Sequence, residues 1–161
     1  MATEPDFYSF HFDNDVFRVQ QIRNMGVIEE NSPVSPSAWE EVKKKGDAAV
    51  QKWIDDNMAY RRCVAVLIGS ETARRKWVDY EIGKAWKDKR GLFGIYIHNL
   101  KCPRNGTCAK GVNPFSTWNV GNRKMSEFIT CYDPPANDAY GYISRNIKDW
   151  VDAAVTEAKT R

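Results

Sequence analysis

The chain has 161 residues, of which 42% are hydrophobic, 12% aromatic and 28% charged, which suits one domain at roughly 100 to 200 residues per domain. That usage excludes a disordered, collagen-like or disulfide-dense class. Lys and Arg total 24 against 21 Asp and Glu, so the net formal charge is only +3, and the cations are dispersed along the chain; this argues against nucleic acid as a partner.

The opening MATEPDFYSF lacks the basic and apolar segments of an export signal, so the expected compartment is the cytoplasm. No run approaches the roughly 18 apolar residues of a membrane helix, and no membrane partner is expected. Residues 7–12 (FYSFHF) read as a first strand. Asp13 or Asn14 suits the cap of a helix with Val16, Val19 and Ile22 on one face, and Gly26 marks its stop. Residues 26–29 read as a second, weaker strand. Two prolines and three serines make residues 31–37 a loop.

Residues 47–58 carry Val50, Trp53, Ile54 and Met58 at helical spacing. Residues 63–68 (CVAVLI) form an apolar run of the kind found in central parallel strands, ended by Gly69-Ser70. A helix over 73–87 and a strand over 92–98 (LFGIYIH) follow. Residues 99–126 show no sustained period, and so long a segment is either functional or holds unrecognised structure; it is a candidate cover for a substrate. Residues 127–131 read as the last strand. Residues 142–159 form an amphipathic helix with Ile143, Ile147, Trp150, Val151, Ala154 and Ala158 on one stripe.

Strands and helices alternating in this way predict a single α/β domain over residues 1–161, flavodoxin-like, with three layers and a mostly parallel five-stranded central sheet. In such sheets ligands lie outside the carboxyl ends of the strands, which directs attention to residues 11–15 and 69–72. Neither a P-loop nor a Gly-x-Gly-x-x-Gly turn is present. A phosphate-accepting receiver domain would need an aspartate where Gly69-Ser70 stands. Of the four cysteines, Cys63 and Cys131 fall in apolar runs. Cys102 and Cys108 have no second pair or nearby histidine, so no metal site is expected.

The informative segment is Trp77-Val78-Asp79-Tyr80-Glu81-Ile82-Gly83-Lys84-Ala85-Trp86. At about 100° per residue, Trp77, Val78, Glu81, Ile82 and Ala85 share one arc, so a carboxylate sits on the apolar face. Such a group must be neutralised, paired or exposed in a cleft. The structural alternative is an ion pair with Lys84 or with an arginine on a neighbouring element.

Trp77-x-x-x-Glu81 after the third strand, with Tyr8-Ser9-Phe10 at strand one and Val66-Leu67-Ile68-Gly69-Ser70 at strand three, resembles the TIR domain family. The likeness is closer to the TIR-like proteins of the bacterial Thoeris anti-phage system. It takes in Arg18, residues 64–82, Gly94-Ile95-Tyr96-Ile97-His98 and Asn113-Pro114-Phe115, roughly residues 7–115 in all. The resemblance implies cleavage of NAD⁺ at the bond between nicotinamide and ribose, with Glu81 as the catalytic residue and no metal. NAD⁺ is then substrate, and no cofactor is needed. It also implies cyclisation to an isomer of cyclic ADP-ribose that a partner effector reads, with self-association left open.

The chemistry suits the residues independently. Nicotinamide leaves as a neutral ring, and a carboxylate stabilises the ribosyl oxocarbenium, as in glycosidases. Ser9, Phe10 and His11 at the mouth of strand one are candidate ligand contacts, against ordinary packing for Phe10 and a polar wall for His11. Ser70 is a candidate phosphate donor, against a helix cap. Trp77 either stacks on a ring or belongs to the core. Two non-enzymatic readings compete: an interaction module that needs no carboxylate at 81, and a nucleotide sensor that binds without turnover.

Overall fold

The computed structural model describes residues 6–25, 41–102 and 106–161. Four strands form one parallel sheet in the order β1-β2-β3-β6: β1 (Asp6–Ser9), β2 (Cys63–Ile68), β3 (Gly91–Tyr96) and β6 (Cys131–Tyr132). The helices are α1 (Phe12–Asn24), α2 (Asp47–Met58), α3 (Lys76–Lys87) and α4 (Ala139–Ala158). The expected strand at 26–29 and the loop at 31–37 lie outside the described residues. β1 and β6 stand at the two edges of the four strands.

Alternation along the strands divides the core into two. Tyr8, Ala65, Leu67, Phe93 and Ile95 face α1 and α4, meeting Val19, Ile22, Ile143, Ile147 and Val151. Phe7, Val64, Val66, Ile68 and Leu92 face α2 and α3, meeting Val50, Ile54, Met58, Val78 and Ile82. All six residues of β2 are fully buried, which is why this central strand reads as an unbroken apolar run. The result is three layers, helix on sheet on helix, as the sequence predicts.

Several boundaries differ from expectation. The first strand ends at Ser9, and α1 begins at Phe12 with His11 in the N-cap position, not Asp13 or Asn14. Asp15 falls in the first helical turn, where the helix dipole favours an acid. Helix α3 begins at Lys76, because residues 69–75 are taken up by a turn in which Arg74 adopts φ +66°. Helix α4 begins at Ala139, before its apolar stripe becomes regular at Ile143.

The aperiodic stretch 99–126 holds short structure and is anchored in the core. Its described part contains a 3₁₀ turn (Pro114–Thr117) and the antiparallel pair β4 (Asn119–Val120) and β5 (Arg123–Lys124), joined at Gly121 with φ +62°. Phe115 and Met125 are completely buried against α2 and α3, so this segment is as much wall as cover. A second 3₁₀ turn over Met125–Glu127 displaces the expected last strand to Cys131–Tyr132, because the Glu127 carboxylate folds back to accept the amide of Lys124 at 2.8 Å. The cysteines are all free thiols. Cys131 is half-buried, its thiol pushed up to about 12 by burial.

Gly94 in the middle of β3 marks where this wall meets the sheet. A Cβ there would lie 2.7 Å from Cys131 Sγ and 2.9 Å from Ile68 Cδ1. Gly94→Ala is therefore expected to cost about 1–3 kcal/mol through overpacking, read as a lower urea midpoint with an unchanged slope; a variant as stable as the parent would show that the sheet yields here.

Candidate active site

Glu81 belongs to the buried face of α3 with Val78, Ile82 and Ala85. It is only 7% exposed. Among the described residues the ion pair considered from sequence does not form, and Lys84 turns instead to Asp88 at 3.0 Å and Asp55 at 3.8 Å. What meets the carboxyl group is the Ser9 hydroxyl, which donates to Glu81 Oε1 at 2.7 Å. Ser9 is the last residue of β1 and shares its parity with Phe7, so it points to the α3 side of the sheet. One hydrogen bond thus joins the carboxyl end of β1 to the middle of α3, across 72 residues of sequence.

Burial without a cation penalises the charged form. The Glu81 carboxyl group is pushed up to about 8 by desolvation, against a smaller lowering by the Ser9 hydrogen bond. At neutral pH the group is mostly protonated in the ligand-free protein. A carboxyl group poised in this way is a frequent mark of catalytic sites.

The other expected contacts divide between the two faces. Trp77, one turn before Glu81, is half-buried against the same core, edge-on to Tyr80 with ring centroids 5.8 Å apart and with the Lys76 ammonium 4.9 Å from its ring centre. Phe10 goes to the opposite face, packing on the α1 and α4 core beneath the Arg23 guanidinium. Its side chain therefore does not join Ser9 beside Glu81. His11 is half-buried at the start of α1, its carbonyl accepting the Asp15 amide at 3.0 Å. Ser70 is half-buried in the turn after β2. The side-chain cap in that turn is Thr72, whose Oγ1 accepts the Gly69 amide at 2.8 Å.

At the same carboxyl edge of the sheet lies a buried ionic network whose bonds the sequence did not announce. Asp15 is fully enclosed and pairs with Arg18 at 3.3 Å. Arg18 also donates to the carbonyls of Leu100 at 3.0 Å and Gly106 at 2.9 Å. Thr72 reaches Asp15 Oδ2 at 3.5 Å. Together these bonds tie α1 to the turns that follow β2 and β3. Gly69 is required at their centre, since a Cβ would lie 2.2 Å from Asp15 Oδ2. The spacing Asp15-x-x-Arg18 was the available signal, but i,i+3 pairs on helices are common and mostly exposed. Further along the same edge, burial lowers the pKa of His98, whose Nε2 stands 4.0 Å from Asp133, itself paired with Lys110 at 2.8 Å.

Among the described residues no group of acids, histidines and cysteines is arranged to hold a metal, and no helix is long and apolar enough to cross a membrane.

A group whose folded pKa lies above its unfolded value favours the folded state at low pH, and that contribution fades as pH rises from about 4.5 toward 8. For Glu81 the loss amounts to roughly 3 kcal/mol by pH 7. Glu81→Gln keeps the shape of the protonated group, so the variant is expected to lose less stability than the parent between pH 5 and 8. Parallel urea titrations would contradict the burial argument.

The chain is similar to known proteins over most of the region that holds this site. The family described as Thoeris protein ThsB, TIR-like domain, matches residues 7–102, a stretch that contains both Ser9 and Glu81. A Bacillus cereus (strain MSX-D12) protein described as a candidate cyclic ADP-D-ribose synthase, ThsB1, is 36% identical over 114 residues, which cover 68% of this chain and 59% of the relative. The match thus spans less than two thirds of that relative's length.

Proposed function

Since the chain belongs to the Thoeris ThsB TIR-like family, we propose that it cleaves NAD⁺ between nicotinamide and ribose and closes the ADP-ribosyl group into a cyclic isomer. The observation that carries this reading is the buried Glu81 carboxyl group bonded to Ser9 at the carboxyl edge of a parallel sheet, where α/β folds of this kind receive their ligands. The product then signals to a partner effector in anti-phage defence, and the enzyme works in the cytoplasm. Self-association and a fifth strand beside β1 belong to the same reading.

Glu81 acts as an anion. As the bond to nicotinamide breaks, the pyridinium charge passes to the ribose carbon, and a carboxylate held in a poorly hydrated wall stabilises that cation more than it stabilises the substrate. The proton that Glu81 carries in the free protein must leave before or during binding. The cationic pyridinium favours its loss, because an opposite charge nearby lowers a carboxyl pKa. Ser9 holds Oε1 through its hydroxyl, so the oxygen presented to the ribose is Oε2. A nucleophilic atom elsewhere in the same molecule then bonds to the ribose carbon and gives up its proton. Exclusion of water selects this closure over hydrolysis. Trp77 forms an aromatic wall next to the carboxyl group. Ser9, Ser70, His11 and Phe10 are the neighbouring candidates for substrate contact, Phe10 through its backbone.

Glu81→Gln is expected to reduce nicotinamide release by about 10³-fold or more while retaining the circular-dichroism spectrum of the parent, checked by mass spectrometry of NAD⁺ products. Undiminished turnover would remove Glu81 as the catalytic residue, and a parent that leaves NAD⁺ intact would return the chain to the interaction-module reading. Because only the ionised form acts and its pKa in the free protein is about 8, kcat/KM should rise about tenfold per pH unit from pH 6 and level off above 8. A profile flat from pH 6 to 9 would remove Glu81 as the titrating group.

A further inference from the structure

The dispersed cations of the sequence converge in the fold. Arg61 and Arg62 precede β2, Lys89 and Arg90 precede β3, and Lys159 and Arg161 follow α4. They meet at the amino edge of the sheet, opposite the edge that holds Ser9. Between them lies a groove of about 220 Å³ lined by Arg62, Lys89, Arg90 and Lys159, with Asp88 and Gly91. Gly91 permits the floor, because a Cβ there would lie 2.9 Å from the Val155 backbone nitrogen of α4.

The acids at this edge are already engaged. Asp88 takes Lys84 at 3.0 Å, and Glu157 takes Arg161 at 2.9 Å. The guanidinium groups are held in place by backbone carbonyls: Arg90 donates to the carbonyl of Arg61, and Arg161 to that of Arg90 at 3.0 Å. Even so, the buried Nε atoms of Arg61 and Arg90 have no hydrogen-bond partner among the described residues. The nearest acid to Arg90 Nε is Asp88 at 3.8 Å. Lys89 and Lys159 are exposed at the rim.

Six cations against the three acids Asp6, Asp88 and Glu157 leave this edge with a local excess of positive charge in a chain of net charge +3. Like charges gathered this closely repel one another unless an anion joins them. From this arrangement we infer that the groove is a binding site for a small phosphorylated anion. Planar guanidinium donors fixed in position, with mobile ammonium groups at the rim, match the several oxygens of a phosphate or diphosphate. The small concave volume favours a free phosphate compound over a polymer. The site lies at the far end of the strands from Glu81, so its occupant is not the reacting part of the substrate. The carboxyl end of α3, at Lys87 and Asp88, connects the two regions.

Calorimetric titration of the full chain with inorganic pyrophosphate, at about 50 mM NaCl, tests the site. Binding is expected to saturate at one equivalent, to weaken as salt rises, and to weaken about tenfold in Lys89→Gln/Lys159→Gln, whose rim positions leave the fold intact. A thermal shift on adding pyrophosphate to the parent, reduced in the double variant, reports the same equilibrium. The inference is overturned by absent binding, by equal affinity in a folded double variant, or by binding of heparin alone.

Discussion

A carboxyl group with no cation beside it has to be kept inside the protein, and much of the site follows from how that is done. Glu81 could not stand on the apolar face of α3 if the end of β1 did not bring it a hydroxyl donor. Unpaired and ionised in such a place, a carboxylate costs several kcal/mol. Protonated and bonded to Ser9, it is tolerated. On the proposed function, the protein rests in its inactive protonation state and a cationic substrate draws out the active one. Affinity for the pyridinium and generation of the carboxylate become two aspects of one electrostatic event.

The Asp15–Arg18 pair serves the same edge by a different means. Breaking a buried ion pair is expensive even where forming it gained little, so this pair specifies geometry more than it adds stability. Arg18 spends its remaining donors on the carbonyls of Leu100 and Gly106. The first helix and two loops are thereby fixed around the turn that leads into α3. A displacement of that turn would move Glu81 relative to Ser9, although neither Asp15 nor Arg18 touches them in the bonds described.

What the sequence made legible was whatever had a period. Helix α2 and strand β2 fall on the residues where apolar spacing puts them. Glu81 stood out because it interrupts such a period, whereas the sequence ran the first strand on to Phe12 and only the fold ends it at Ser9. The bond between them joins residues 72 positions apart and no local pattern announces it. The choice left open for Phe10, between ligand contact and packing, had the same long-range origin: one step along a strand reverses the face, and where β1 stops decides which of its last residues meets α3. Residues 99–126 resisted reading because two-residue strands and single 3₁₀ turns are too short to repeat. Their core members Pro114, Phe115 and Met125 are scattered through polar sequence.

Those core members have a consequence for motion. The indole of Trp118, just after the first 3₁₀ turn, lies so close to α3 that a Cβ on Gly83 would be 2.9 Å from its Cη2, and Phe115 is wedged against the site of Gly94. Neither α3 nor the 114–129 segment can swing outward while the other stays. In hydrogen-exchange terms they form a single opening unit, whose amides should share one protection free energy.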